Sequence, residues 1–428
     1  MRRFDASDPF FNIEFDGFLA ESRGAASEVE SSVAAVIAAV REEGLGAVLR
    51  FTAQFDKLVV EEDDLRVSPE EISAGVAACP TEVREALAFA AGRIRDYHQR
   101  IRPADGAFTD TLGVELGWRW TPLDSVGIYV PGGRAAYPST VLMNAVPAQV
   151  AGVGRIAMAT PPGMMQPAVL AAAMEAGVTE IWRLGGAQAI AALAYGAGPI
   201  KAVDKIVGPG NAYVAAAKRR VFGVVGIDCL AGPSEIVVVA DALNNPDWIA
   251  ADLLSQAEHD PDAQAILITD DVEFATAVES AVLRQLLTLH TGEDAKMSWR
   301  EHGAIILCPM HAAPGLVDRI APEHVELAVQ DPKALGDRIR HAGAVFFGRY
   351  APEAIGDYVA GSNHVLPTSR TARYSSGLST MDFLKRTSLI GCGPEAFVGL
   401  ASATAVLAEV EGLPAHARSV TIRLNARE

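Results

Sequence analysis

From residue 125 onward the chain repeats one unit, a short run of apolar and mostly β-branched residues, then glycine, then an alanine-rich stretch. The runs are 125–129 (SVGIY), 155–159 (RIAMA), 180–184 (EIWRL) and 204–207 (DKIV), followed by a second set at 235–240 (EIVVVA), 265–269 (AILIT), 304–307 (AIIL) and 344–347 (AVFF). Apolar runs too short for a buried helix and rich in valine and isoleucine suit strands covered on both faces. The stretches between them, such as 167–176 and 187–194, read as crossover helices. Strand, helix, strand repetition of this kind builds parallel sheets, so the pattern predicts an α/β fold with two domains and a cleft between them. Ahead of it, 31–41 and 83–101 space their apolar residues as amphipathic helices do. The last fifty or so residues lose the strand rhythm and predict a helical appendage over 394–411 with a short tail. No low-complexity linker and no internal repeat is visible in the sequence.

Bulk properties narrow the function. The 428 residues, half of them apolar, can bury a large core. A net charge of −17 repels phosphate backbones and anionic lipid surfaces, which argues for no nucleic acid and no membrane among the partners and for small-molecule chemistry. Four cysteines stand far apart without a C-x-x-C pair, fitting a reduced, cytoplasmic setting better than a disulfide framework or a zinc knuckle. The opening MRRFDASDP carries early acids and no apolar run, so no signal peptide is expected.

Several polar residues are placed where chemistry is possible. In 245–260, Asn245 and Pro246 open a helix as N-cap and first residue. Ile249 and Leu253 mark an inward stripe whose continuation reaches Gln256 and His259, a pair suited to a hydrogen-bond network or to a metal with nitrogen and oxygen ligands. The tail repeats the device, with Leu400, Thr404 and Leu407 leading to Glu411 just before Gly412, and His416 following. Such a carboxylate near a chain end is usually a solvated helix end, and beside a metal site it could instead grip a cationic substrate. Glu323 and His324 stand side by side after Pro322, supplying a carboxylate and a base that titrates near neutral pH. The order is not that of H-E-x-x-H, and two residues alone define little. The loop 356–368 holds Asp357 and His364 between glycines. Glycine-rich turns lie at 129–134, 185–188 and 208–214, the last at a helix start that would cradle an anion. None carries G-x-G-x-x-G, so no dinucleotide site follows from that fingerprint.

Six strings in order, GPGNAYV (208–214), AGPSEI (231–236), DLLSQAEHDP (252–261), APEHVEL (321–327), GSNHVLPT (361–368) and EGLPAH (411–416), resemble the histidinol dehydrogenase family. The likeness runs from about Tyr129 to the end of the chain and is looser over the first hundred residues. It implies two Rossmann-like domains with parallel sheets, a small helical N-terminal segment (1–22) and a helical C-terminal tail (379–428) contributing to a homodimer. The larger, discontinuous domain would be 23–127 with 234–378, and the second 128–233. By the same resemblance Gln256, His259, Asp357 and His416 bind one Zn2+ per subunit and, with Ser234, His324 and Glu411, contact L-histidinol. Tyr129, Gln188 and Asn211 line the NAD site. Glu323 and His324 match the family's catalytic pair, and His364 is a further histidine nearby. None of these positions departs from the family pattern. The implied reaction is the two-step oxidation of L-histidinol through L-histidinaldehyde to L-histidine with two NAD, the last steps of histidine biosynthesis, in active sites shared across the dimer.

Rival expectations remain at this point. Relatives acting on sulfonated diols would favour a basic or neutral residue where Glu411 stands; a zinc hydrolase without nicotinamide would match the missing fingerprint and a metal beside Glu323 and His324; a non-catalytic binding protein with two α/β domains would leave Gln256, His259 and Glu411 without a reason.

Overall fold

A computed structural model of the chain describes residues 1–21, 28–132, 137–230 and 232–424. The glycine-rich turn 129–134 is therefore described only to residue 132, and Ala231 of the AGPSEI string lies outside the described residues. In chain order the strands are β1 (Arg2–Asp5), β2 (Gly106–Thr109), β3 (Val114–Pro122), β4 (Ser125–Tyr129), β5 (Arg155–Thr160), β6 (Glu180–Arg183), β7 (Lys205–Val207) and β8 (Gly226–Ile227). Then follow β9 (Glu235–Ala240), β10 (Gln264–Thr269), β11 (Ala304–Leu307), β12 (His324–Ala328), β13 (Ala344–Phe347) and β14 (Leu384–Cys392).

The chain divides into two compact units, one of Met1–Ile101 with Leu123–Phe383 and one of Arg102–Pro122 with Leu384–Glu428. The first holds both parallel sheets, as the apolar runs predicted. One is five-stranded in the order β6-β5-β4-β7-β8, the other six-stranded in the order β1-β11-β10-β9-β12-β13. Numbered along the chain, the five-stranded sheet reads 3-2-1-4-5, and the six-stranded sheet reads the same once its edge strand β1 is set aside. Both are doubly wound, with the strand order reversing beside their first strand, β4 and β9. The repeat that is invisible in sequence is thus present in topology.

Burial explains the strand composition. All six residues of β9 are buried, with Ile236, Val238 and Ala240 in the core under the helix Pro246–Ala257 and Val237 and Val239 in the core on the opposite face. Each such valine or isoleucine stabilises the fold by about 1.5–3 kcal/mol on burial.

Three features differ from the sequence reading. Residues 1–22, read as helical, open with β1, which pairs in parallel with β11 before the helix Phe11–Ala20 begins. The helices Glu28–Glu43 and Leu45–Phe51, grouped from sequence with the larger domain, supply Val33, Val36, Val40 and Val48 to the core of the five-stranded sheet. Residues 379–428 are not wholly helical: β14 is nine residues long and pairs antiparallel with β3. Its outward side chains follow no helical or buried-strand period, which hid it.

The second unit consists of the antiparallel sheet β14-β3-β2 and the helices Pro394–Val410 and Pro414–Leu424. Gly412, in left-handed conformation (φ 71°), separates the two helices. Among the described residues no helix is long and apolar enough to cross a membrane.

Candidate active site

The Ala321-Pro322 step fixes where the acid–base pair falls. The helix Ala313–Ile320 ends on Ala321, a non-glycine residue in left-handed conformation (φ 50°). This backbone is strained for alanine, and it turns the chain directly into β12. Strand alternation then puts His324 and Glu326 on one face, toward Gln256 of the helix Pro246–Ala257 and Glu353 of the helix Glu353–Tyr358.

His324 is the hub. Its Nδ1 lies 3.0 Å from Gln256 Oε1 and 3.4 Å from Glu353 Oε1, while Nε2 lies 3.7 Å from Asp357 Oδ1. The ring is 3% exposed, and Nε2 has no hydrogen-bond partner. Burial, with the charges of His259 and His364 adding to it, pushes the imidazole pKa down to about 3, so at neutral pH the ring is uncharged and able to take a proton. His364 sits beside it. Its Nδ1 lies 3.0 Å from the Asp357 carbonyl and its Nε2 3.5 Å from the Thr140 hydroxyl. Burial lowers its pKa too.

Glu323 faces a different neighbourhood, the start of β9, where the Ser234 hydroxyl hydrogen-bonds to its carboxyl. It is 5% exposed and its Oε2 has no partner. Burial raises its pKa well above the usual carboxylate range, and the nearby charges of Glu235 and Asp357 add to the effect. Burial likewise raises Asp357.

The helix Pro246–Ala257 delivers Gln256 as the apolar stripe predicted, buried to 1% exposure. His259 departs from the prediction. The helix ends at Ala257, and His259 stands in the following turn, exposed, with Nδ1 2.8 Å from the Ser255 carbonyl. It still lies close enough to influence His324, His364 and Asp357 electrostatically. Sequence reasoning missed Glu353, which belongs to no motif and shows itself only by folding back onto β12. His324, Glu353 and Asp357 bring possible ligand atoms within 4.8 Å of one another. With the Gln256 amide oxygen on the same ring, the donors are nitrogen and oxygen, and two of them are buried without partners. A borderline divalent ion such as zinc fits that chemistry.

Tyr129, Gln188 and Asn211 lie elsewhere, Tyr129 at the end of β4 and the other two in the segments that follow β6 and β7 of the five-stranded sheet. The Tyr129 hydroxyl accepts the Gly186 N–H at 3.0 Å, and burial pushes its pKa up to about 12. Gln188 donates from Nε2 to Asp56 at 3.0 Å and keeps a buried, unpartnered Oε1. Asn211 caps the helix Ala212–Val221, accepting from Tyr213 and Val214. The turn leading to it is held by a buried ion pair. Lys218 pairs with Asp228 and donates to the Gly208 carbonyl, while Asp228 accepts the Gly208 N–H. Gly208 has φ +114°, and a Cβ there would strike the Tyr129 carbonyl, so only glycine fits.

Glu411 and His416 belong to the second unit, where both are exposed. The row expected to face inward faces out instead: Leu400 is 36% and Leu407 63% exposed, and Thr404 is exposed too, whereas the same helix buries Ala396, Ala401 and Ala408. Small residues let that face approach its own unit closely, and the larger apolar ones are left outside.

Two doubly wound sheets and a buried acid–base cluster define an α/β enzyme. A family model described as histidinol dehydrogenase matches residues 19–424. The chain is 68% identical over 424 residues to a histidinol dehydrogenase of Caulobacter vibrioides, covering 99% of both chains, and 58% identical to that of Rhodospirillum rubrum, covering 99% of this chain and 98% of the relative. A solved histidinol dehydrogenase from Elizabethkingia anophelis superposes with a TM-score of 0.94 at 35% identity, covering 99% of this chain and 98% of that one. The chain belongs to the histidinol dehydrogenase family and is an oxidoreductase. The relationship extends well into the N-terminal hundred residues, which the motifs alone left undecided.

Proposed function

We propose that the protein oxidises L-histidinol to L-histidine in two NAD-linked steps, with His324 as base and Glu323 as the group that activates water. The observation that carries this reading is the buried, unpartnered Nε2 of His324 amid Gln256, Glu353 and Asp357. In the first step His324 Nε2 takes the hydroxyl proton as hydride passes to NAD. In the second, water adds to the aldehyde, Glu323 takes a proton from that water, and a second hydride leaves for a second NAD. A carboxyl whose pKa is raised by burial is suited to such acid–base work near neutral pH.

Gln256, His259 and Asp357, completed by His416, would hold zinc, which when bound supplies orientation and positive charge to the substrate. Ser234 and Glu411 would contact the substrate, Glu411 offering a negative charge to a cationic imidazole, and His364 would line the same pocket. Tyr129, Gln188 and Asn211 would line the NAD site, at the strand-order reversal where dinucleotides bind doubly wound sheets. The five-stranded sheet thus carries the dinucleotide and the six-stranded sheet the substrate. The apolar row Leu400, Leu407 and Val410 on the second unit supports a homodimer in which Glu411 and His416 complete the partner's site. Cysteines without disulfides fit a cytoplasmic location.

The test is NADH formation from L-histidinol before chelation, after it, and after zinc is restored. Activity, its loss and its return are expected. No NADH from the untreated protein, or full activity without metal, overturns the reading.

A further inference from the structure

The structure assigns Glu353 as the residue that positions His324, its carboxyl standing 3.4 Å from Nδ1 as a second acceptor beside Gln256, so that Nε2 keeps its lone pair for the substrate. The assignment rests on the reading of His324 as base. Glu353 is 1% exposed, yet its Oε1 has no hydrogen-bond partner and lies 3.4 Å from His324 Nδ1. A polar atom so deeply buried costs free energy unless something nearby uses it.

The remainder of the side chain is pinned in place. Oε2 accepts the Ser255 hydroxyl at 3.1 Å, and the backbone N–H of Glu353 donates to Glu326, which stands on the same face of β12 as His324. One strand therefore carries both the base and the group that anchors the base's neighbour.

The proton on the ring can be placed by elimination. Both atoms nearest Nδ1 are oxygens, Gln256 Oε1 at 3.0 Å and Glu353 Oε1 at 3.4 Å. The amide oxygen can only accept, so Nδ1 carries the hydrogen and Nε2 does not. When Nε2 receives the substrate's proton the ring becomes a cation in a low-dielectric site, and the Glu353 carboxylate is the charge that offsets it. Gln256 is neutral and also stands among the residues that would hold zinc.

The experiment compares Glu353→Gln, His324→Asn and the double variant, alongside Ser255→Ala, which loosens the anchor without touching the carboxylate. Glu353→Gln should lower kcat by about 100-fold with little change in KM for L-histidinol and with zinc binding, measured directly by titration of the metal-free protein, unchanged. Ser255→Ala should give a smaller loss of the same kind. In the His324→Asn background Glu353→Gln should cost nothing further, because it acts through that ring. Nitrogen-15 NMR of the metal-free wild type should show Nδ1–H on His324, and a mixture of tautomers in Glu353→Gln. Weakened zinc binding makes Glu353 a metal ligand and overturns the assignment, as does an undiminished kcat or an equal loss in the His324→Asn background. If His324→Asn itself retains full activity while the tautomer still follows Glu353, the base assignment falls and the positioning stands.

Discussion

Glu323 and His324 are chain neighbours whose carboxyl and imidazole meet different surroundings, the first Ser234 at the start of β9 and the second Gln256 and Glu353 over the helix face. Burial moves both pKa values, upward for the acid and downward for the base. That separation suits each to one task of the proposed reaction. Glu323→Gln should preserve conversion of alcohol to aldehyde and reduce aldehyde oxidation by about 100-fold or more. A single-turnover count would then find one NADH per histidinol where the wild type forms two, and equal loss of both steps would refute the division. At this scale the sequence was informative where function and local pattern coincide. Asn245 caps its helix and Gln256 faces inward as spacing predicts. It was silent where a residue matters through distant folding. Glu353, Lys218 and Asp228 carry no local signature, since a lone acid or lysine in a chain reads as solvated surface until a partner arrives from elsewhere.

Among elements, the strands legible in advance were the mostly apolar ones, β4 to β7, β9 to β11 and β13, and the bounds of β4, β9, β11 and β13 coincide with their runs. β12 escaped because His324 and Glu326 interrupt its apolar character, and His324 is the proposed base. β1, β2, β3, β8 and β14 escaped because they are short or exposed and so lack a two-sided apolar signature. The helix Thr81–Arg100 carries a different polar interruption. His98 is fully buried on it with neither ring nitrogen hydrogen-bonded, and burial pushes its pKa down from 6.5 to about 4. The unfolded chain binds a proton there near pH 6.5 and the folded chain only near 4, so its contribution to stability is intact above the higher value and declines as pH falls toward the lower. His98→Leu should remove that slope. Guanidinium unfolding midpoints measured at about pH 5 and pH 7.5 should move closer together in the variant, and an unchanged gap would show that acid acts elsewhere.

For the whole molecule the central expectation is that two copies share each site. Glu411 and His416 are exposed on the second unit, as are Leu407 and Val410 of the same helical segment. If Glu411 serves the partner, mixing Glu411→Ala subunits with Glu323→Gln subunits should regenerate intact sites, each built from the unaltered parts of both. Random exchange at equal amounts would restore about a quarter of wild-type activity. No recovery from verified mixed dimers would place Glu411 in its own subunit's site. Whether a tail serves its own subunit or another is a matter of assembly, which the period of one chain does not encode.

The edge strand β1 has a consequence for how the molecule is made. Arg2 is aligned with Ala304, and Phe4, Phe11, Phe15 and Phe18 pack in the core that includes β11. These residues leave the ribosome long before β11, the strand on which β1 docks. At 5–20 residues per second that interval is about 15–60 s, during which four phenylalanines have no sheet to rest on. A nascent chain of this kind is a natural client for the chaperones that meet polypeptides at the exit tunnel.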